Sequence, residues 1–211
     1  STQPLTPLPG LQVGPLRLDP GRADAPGSGY RSRFSHATER ASPGYYAVRL
    51  EDPGVDAELT ATSRVGVHRY RFPAGSEPRI LLDLVHGIYN YDGKVIWSSV
   101  RVEDDHTVTG WRQTRGWART RLIHFALEFS RPIRAYGCRL DDAAPYRDFY
   151  RKWDQTHDFP DLAGRKLKLW FEFDPLPGEP LLVKVALAGT DRAGALANLR
   201  AEVPDWDFDR V

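Results

Sequence analysis

The stretch YYAVRLEDPGVDAELTATSRVGVHRYRFPAG, residues 45–75, decides the fold class of this chain. Apolar side chains alternate with polar ones there, as at Tyr46, Val48 and Leu50 and again at Val65 and Val67. Alternation with a period of two is typical of strands with one buried face, and the Pro-Gly and Pro-Ala-Gly steps between the runs are typical of tight turns. The stretch therefore predicts three successive antiparallel strands.

The same rhythm continues along the chain. Residues 80–85 form an almost continuous apolar run, which predicts a strand buried on both faces. Six further runs have strand composition, namely 95–102, 107–113, 120–129, 133–138, 166–173 and 181–187. About ten short strands at this spacing predict an all-β fold, an antiparallel β-sandwich.

Two segments depart from the strand pattern. In residues 141–157 the apolar side chains recur at helical spacing, at Tyr146, Phe149, Tyr150 and Trp153. A second apolar pattern runs over residues 191–202 and ends before Pro204. Each predicts a short amphipathic helix.

The two ends of the chain differ from its middle. Residues 1–29 hold six prolines and five glycines, which predicts an extended lead-in before a sandwich domain over 30–204. Trp206 and Phe208 lie in residues 205–211 with no later element to bury them, so we expect both to be exposed at a junction with a neighbouring domain. Because the chain contains no methionine, we expect a processed product or a piece of a longer protein.

Composition excludes several classes of protein. The chain has 211 residues, with 29 basic and 28 acidic side chains and a net charge of +1, which argues against an electrostatic nucleic-acid binder. No apolar stretch has the length of a membrane span. The hydrophobic fraction of 41% predicts a folded core. Cys138 is alone and forms no internal disulfide, which leaves the cellular compartment open.

Spacing alone predicts no catalytic site. The six histidines lack the spacing of a zinc site, so we expect no metal site in this chain. His86 ends an apolar strand, where ligand-binding groups collect, and is therefore a candidate site residue. The doublets Asp104-Asp105 and Asp141-Asp142 lie in predicted turns, where aspartate caps backbone amides.

The densest polar segment precedes the Pro43-Gly44 turn. It contains Arg33, His36, Glu39 and Arg40, which would either converge on a ligand at a loop end or form an internal hydrogen-bonded network. Three tryptophans, at 97, 111 and 117, either stack on a sugar ring or pack within the sandwich.

Several long motifs resemble the amino-terminal domain of glycoside hydrolase family 92, the bacterial α-mannosidases. They are FSHATERASPGYY (34–46), AELTATSRVGVHRYRFP (57–73), GWAR (116–119), FSRP (129–132) and DRAGALANLRAEVPDWDF (191–208). The resemblance covers residues 29–211 and implies a sandwich of the large galactose-mutarotase-like type.

The resemblance also implies a function. Family members are secreted or cell-surface, calcium-dependent enzymes that remove terminal mannose, most often α-1,2-linked, with inversion. Their catalytic acid, base and most of their calcium ligands belong to a carboxy-terminal (α/α)6 barrel, so no catalytic residue and no cofactor is expected in this chain. The expected partners are that barrel and mannose-containing glycans. The candidates for sugar contact are Arg33, His36, Glu39, His86 and Trp117.

Two other interpretations remain open. A free-standing carbohydrate-binding module would expose Trp97, Trp111 or Trp117 on one face, whereas a domain that buttresses a barrel would bury them between its sheets. A purely structural interaction domain would bind no ligand.

Overall fold

The computed structural model describes residues 18–25, 27–87, 91–140, 161–175 and 177–211. Within these ranges the chain forms antiparallel strands, the helix α1 over Arg192–Glu202, and short 3₁₀ turns over His36–Thr38 and Phe208–Arg210. The strands are β1 Arg40–Ser42, β2 Tyr45–Leu50, β3 Val55–Ala61, β4 Val65–Arg71, β5 Arg79–Asp83, β6 Val95–Val102, β7 Thr107–Thr114, β8 Arg121–Phe129, β9 Ala135–Leu140, β10 Asp161–Gly164, β11 Leu167–Glu172 and β12 Leu181–Ala188. The prediction of an all-β antiparallel sandwich is confirmed.

The strands form two sheets. The larger has the order β1-β2-β3-β4-β12-β8-β7-β6-β10, and the smaller has the order β5-β11-β9. Every pair of neighbours is antiparallel. Residues 45–71 form β2, β3 and β4, as their alternation predicts. Gly54 and Gly75, with φ of 68° and 76°, occupy the turns that the proline-glycine steps indicated.

The main core lies between the two sheets. Phe129 of β8 packs on Phe171 of β11, with ring centroids 5.3 Å apart. Around this pair are inward-facing residues of both sheets, including Val100, Val108, Leu127, Leu167, Leu169, Leu181 and Val183. Burial of one face of each sheet is what the alternation of apolar residues achieves.

Helix α1 covers part of the other face of the larger sheet. Its Ala195 and Leu199 pack on small strand residues, Val65, Val67, Ala126, Ala186 and Ala188. Asp191 caps the helix, because its Oδ1 accepts the Gly194 N–H at 2.6 Å. The helix predicted over 191–202 is thereby confirmed. None of the described helices has the length and apolar character that a membrane crossing needs.

Some expectations differ from the structure. Residues 80–85 do not form a strand buried on both faces, because β5 pairs only with β11 in the described part of the chain and its side chains are half-buried. In the described part of the predicted lead-in, Leu18 is buried, and Asp19 accepts from Lys168 Nζ of β11 at 2.7 Å. The predicted helix over 141–157 and the Asp141-Asp142 doublet lie outside the described residues.

Candidate functional site

His36 and Glu39 meet at the edge of the larger sheet. The 3₁₀ turn that carries His36 begins at Ser35, whose Oγ accepts the Ala37 N–H at 3.2 Å. The His36 Nδ1 contacts Glu39 Oε2, and the Tyr46 hydroxyl donates to Glu39 Oε1 at 2.6 Å. The Tyr46 hydrogen bond and then the His36 contact lower the pKa of the Glu39 carboxyl. Glu39 is therefore an ionised acceptor between two side chains.

Arg33 is held elsewhere. Its guanidinium donates to Asp52 Oδ1 through Nε at 2.9 Å and Nη2 at 2.8 Å, and its backbone N–H donates to Asp52 Oδ2 at 2.7 Å. The backbone and then the side chain of Arg33 lower the pKa of Asp52. Arg33 thus fixes the segment before His36 to the β2–β3 turn and does not converge with His36 and Glu39.

His86 lies three residues after the end of β5 and lines a cleft of about 540 Å³. The cleft is lined by charged and polar side chains that include Asp83, His86, Tyr91, Lys94, Arg165 and Lys168. Asp83 Oδ1 accepts the backbone N–H groups of Val85 at 2.7 Å and His86 at 2.9 Å, and its Oδ2 accepts the Tyr30 hydroxyl at 2.9 Å. Burial and then the Asp83 hydrogen bond raise the pKa of Tyr30. Asp83, which lines the cleft, is therefore held in a polar network with Tyr30 and the chain after β5.

Trp117 is fully exposed in the β7–β8 turn, near the same cleft. Tyr91, which lines the cleft, donates its hydroxyl to the Arg115 carbonyl at 3.0 Å, and the Arg115 N–H donates to the Lys94 carbonyl at 2.9 Å. These contacts tie the turn that carries Trp117 to the cleft beside His86. The candidate residues thus fall into two groups, His86 with Trp117 and His36 with Glu39, and each is held by its own network.

Trp97 and Trp111 are neither fully exposed on one face, as a carbohydrate-binding module predicts, nor buried between the sheets, as a buttressing domain predicts. Both are half-buried. The register pairs Ser99 with Trp111, and Ser99 Oγ accepts from Arg192 of α1 at 2.7 Å, so the two indoles lie on the α1 face and not between the sheets. Trp117 alone of the three is fully exposed.

Trp206 and Phe208, the two aromatic residues near the end of the chain, differ in how far they are buried. Phe208 is buried beneath the Arg69 guanidinium, 4.1 Å from its ring centroid, whereas Trp206 is half-buried with Lys184 Nζ 3.9 Å from its ring centroid. The expectation that both are exposed is wrong for Phe208, because the 3₁₀ turn folds its ring back onto β4. The assignment of the two residues to a domain interface stays a prediction.

One described group has the donor types of a metal site. Asp104, Asp105 and His106 hold their ligand atoms within 4.8 Å of one another in the exposed β6–β7 turn. Asp104 Oδ1 accepts the N–H groups of His106 at 2.8 Å and Thr107 at 2.7 Å. These are the contacts of a turn cap, as the sequence predicts for this doublet.

Sequence reasoning missed Tyr46 as a partner of Glu39. The signal was the hairpin: a two-residue turn at Pro43-Gly44 places Ala41 opposite Tyr46. Glu39 is two residues before Ala41 and so lies on the same face of the hairpin. Asp52, Tyr30 and Tyr91 were missed as well, because their contacts come from chain segments distant in sequence.

Comparison with known proteins identifies relatives. The model of the glycosyl hydrolase family 92 N-terminal domain matches residues 5–188. The family GH92 α-mannosidase BT3965 from Bacteroides thetaiotaomicron is 30% identical with a TM-score of 0.80, and the match covers 93% of this chain and 25% of that one. The family GH92 inverting mannosidase BT2199 from the same organism is 27% identical with a TM-score of 0.66, covering 85% and 22%.

A third solved structure is similar, the GH92 family glycosyl hydrolase ccman5, at 28% identity and a TM-score of 0.71, covering 88% of this chain and 24% of that one. The chain therefore spans about a quarter of the length of these structures. No curated protein matches it.

Proposed function

The chain belongs to glycosyl hydrolase family 92 as its N-terminal domain, and from this we propose that it is the accessory β-sandwich of an exo-acting, inverting α-mannosidase with α-1,2 preference. The observation that carries the proposal is the match of 93% of the chain to one quarter of a GH92 α-mannosidase. The remaining three quarters leave room for a helical catalytic barrel as partner. In this proposal the sandwich buttresses the barrel and lines part of the sugar pocket.

In this proposal the two groups of candidate residues supply contacts with the sugar. Trp117 offers a free aromatic face of the kind on which sugar rings pack. His36 offers an exposed imidazole beside an ionised carboxylate. We assign sugar contact to Trp117, His86 and His36, while Glu39 and Arg33 hold the loop that presents His36.

In this proposal the calcium ion is bound by the rest of the enzyme. Ca²⁺ takes six to eight oxygen ligands. The Asp104–His106 turn offers two carboxylates and an imidazole, and backbone amides already occupy Asp104 Oδ1. This turn therefore does not fit a calcium site, and we place the ion with the catalytic barrel.

The test is kinetic, on the longer enzyme with α-1,2-mannobiose. Trp117→Ala and His36→Ala are expected to lower kcat/KM by about tenfold or more, since each removes roughly 1–2 kcal/mol of contact with the sugar. Leu187→Ala and His106→Ala are matched controls, because they truncate an exposed apolar residue and a partly exposed histidine elsewhere. Unchanged kinetics in both site variants would exclude a pocket-lining role.

The exposed indole of Trp117 also favours a second candidate, a carbohydrate-binding module that acts without a barrel. Calorimetric titration of this chain with methyl α-mannoside and with mannan separates the two functions. Binding by the chain alone that Trp117→Ala abolishes supports the module. A pocket shared with a barrel predicts no measurable binding until the barrel is present.

A further inference from the structure

Tyr46, Glu39 and His36 form a series of side-chain contacts that begins on the β1–β2 hairpin and leads away from it. The Tyr46 hydroxyl donates to one carboxylate oxygen of Glu39, and the other oxygen contacts His36 Nδ1. Tyr46 is fixed by strand β2, which pairs with β1 on one side and β3 on the other. These contacts therefore connect Tyr46, a residue of the sheet, to the imidazole of His36 beyond the edge of the sheet.

The direction of each hydrogen bond follows from Glu39. An ionised carboxylate only accepts hydrogen bonds, and the lowered pKa of Glu39 keeps it ionised at neutral pH. The His36 nitrogen that faces it must therefore carry the hydrogen. In the neutral imidazole this leaves Nε2 with a lone pair and no hydrogen.

Stability does not explain why this imidazole is fixed. The side chain of His36 is 89% exposed, while that of Glu39 is 24% exposed. An ion pair or hydrogen bond at such an exposed position adds little to the free energy of unfolding, and fixing the side chain costs conformational entropy. Phe34, half exposed, packs its ring edge-on to the imidazole, with centroids 5.5 Å apart.

The imidazole of His36 thus presents Nε2 as a hydrogen-bond acceptor, and the apolar ring of Phe34 packs against the same imidazole. A sugar offers the complementary pair of groups, a hydroxyl donor and a C–H face. We propose that Tyr46 and Glu39 are positioning residues that hold His36 in the Nδ1–H tautomer, so that its Nε2 accepts a hydrogen bond from a glycan hydroxyl. The glycan part rests on the proposed function; the positioning part does not.

The positioning part is tested by long-range ¹H–¹⁵N correlation spectra of the ¹⁵N-labelled chain at neutral pH. In the wild type, His36 Nδ1 is expected at the protonated frequency and Nε2 at the unprotonated one. Tyr46→Phe and Glu39→Gln are expected to shift the tautomer ratio toward Nε2–H. Tyr45→Phe is the matched control, because it removes a hydroxyl that donates to Glu58 at 2.8 Å from the adjacent residue on the opposite face.

Two results overturn the positioning role: a dominant Nε2–H tautomer in the wild type, or a ratio that both variants leave unchanged. Thermal unfolding of each variant checks that it is folded, and two variants keep the test valid if one is not.

The glycan part is tested on the longer enzyme with α-1,2-mannobiose, because the proposed pocket is complete only with the barrel. Tyr46→Phe is expected to raise KM about fivefold, the equivalent of roughly 1 kcal/mol for one hydrogen bond. An unchanged KM in Tyr46→Phe, in an enzyme whose kcat/KM Trp117→Ala does lower, would overturn the glycan role of His36 and leave the positioning role and the proposed function standing.

Discussion

Arg69 is the residue that holds the end of the chain on the larger sheet. Its guanidinium donates to both oxygens of Glu58, at 2.6 and 2.8 Å, and to Asp209 at 3.0 Å, and it lies over the Phe208 ring. Tyr45 donates a further hydrogen bond to Glu58 at 2.8 Å. The Arg69 hydrogen bonds lower the pKa of Glu58 from 4.5 to about 2.

This lowered pKa predicts a pH dependence of stability. Because the carboxylate form of Glu58 is favoured in the folded chain, its contribution is complete above about pH 5 and is lost as pH falls through 4.5 toward 2. We expect Glu58→Gln to lower the free energy of unfolding by about 1.5–3 kcal/mol at pH 7. Urea unfolding at several pH values measures the difference from the wild type, which should shrink on acidification.

The control lies on the same face. Asp56 accepts from Arg49 at 2.9 Å in a more exposed pair, so Asp56→Asn is expected to cost less than about 1 kcal/mol. A Glu58→Gln difference that stays constant from pH 7 to pH 2.5 would show that the lowered pKa is not a source of stability.

Gly110 in β7 gives a second prediction. A Cβ at this position would overlap the Phe125 ring and the Ser99 carbonyl oxygen. Because Phe125 is buried, we expect Gly110→Ala to destabilise the chain by about 1–3 kcal/mol. Gly189→Ala, where a Cβ meets nothing within 4 Å, is the matched control in thermal or urea unfolding. Equal stability of the two variants would mean that the sheet yields to the added methyl group.

Single residues could be interpreted from the sequence only where their neighbours are close along the chain. The capping role of Asp104 in its turn was predictable, because its partners are two and three residues away. The burial of Lys184 was not, because it depends on Glu128, at 3.1 Å, and on the Trp206 ring. Alternation marks which face a residue occupies but not what covers that face.

Among the elements, helix α1 and the turn after it act together. The helix begins at its Asp191 cap, and its last residue, Glu202, accepts from Thr62 Oγ1 and Arg64 Nε of the β3–β4 turn, each at 2.5 Å. Val203 and Phe208 then pack in the same apolar cluster as Leu199. The chain after the helix is thus bound to the sheet.

This packing predicts a large effect of Phe208→Ala. Loss of a buried phenylalanine ring costs about 3–5 kcal/mol in a core. We expect a decrease near the lower end of that range, since the ring lies at the end of the chain. Phe34→Ala, which truncates a half-exposed ring, is the control and is expected to change the free energy of unfolding by less than about 1 kcal/mol. Similar losses in the two variants would contradict the packing role of residues 205–211.

The type of most elements was predictable, and their partners were not. Strand β6 spans the predicted residues, and β12 exceeds its prediction by one residue. Short β1 and β10 were missed, because three or four residues show too little alternation. The exposed position expected for Phe208 was wrong, because the turn that returns it to β4 has no signal in the apolar pattern. The sequence named candidate residues, whose contact with sugar stays a prediction, but it did not indicate that they lie in two separate groups.

For the whole molecule we predict that the chain alone does not hydrolyse mannosides. Inverting hydrolysis needs an acid and a base about 6.5–9.5 Å apart across the bond, with room for water. Glu39 is engaged by Tyr46 and His36, and Asp104 caps a turn. Incubation with α-1,2-mannobiose and calcium is expected to release no mannose above a buffer blank. Release that survives repurification and that Glu39→Gln abolishes would place the active site in this chain.

The pairing of β4 with β12 has a consequence for synthesis of the protein on the ribosome. Tyr70 pairs with Leu181, so the centre of the larger sheet joins strands more than a hundred residues apart. At roughly 5–20 residues per second, the β1–β4 meander waits about 5–20 s for its neighbour. During that time β4 has no β12 beside it, and the apolar face at Val65 and Val67 has no α1 packed on it. We therefore expect the nascent chain to bind holding chaperones, and we expect codon changes that slow translation between residues 72 and 181 to lower the yield of folded protein.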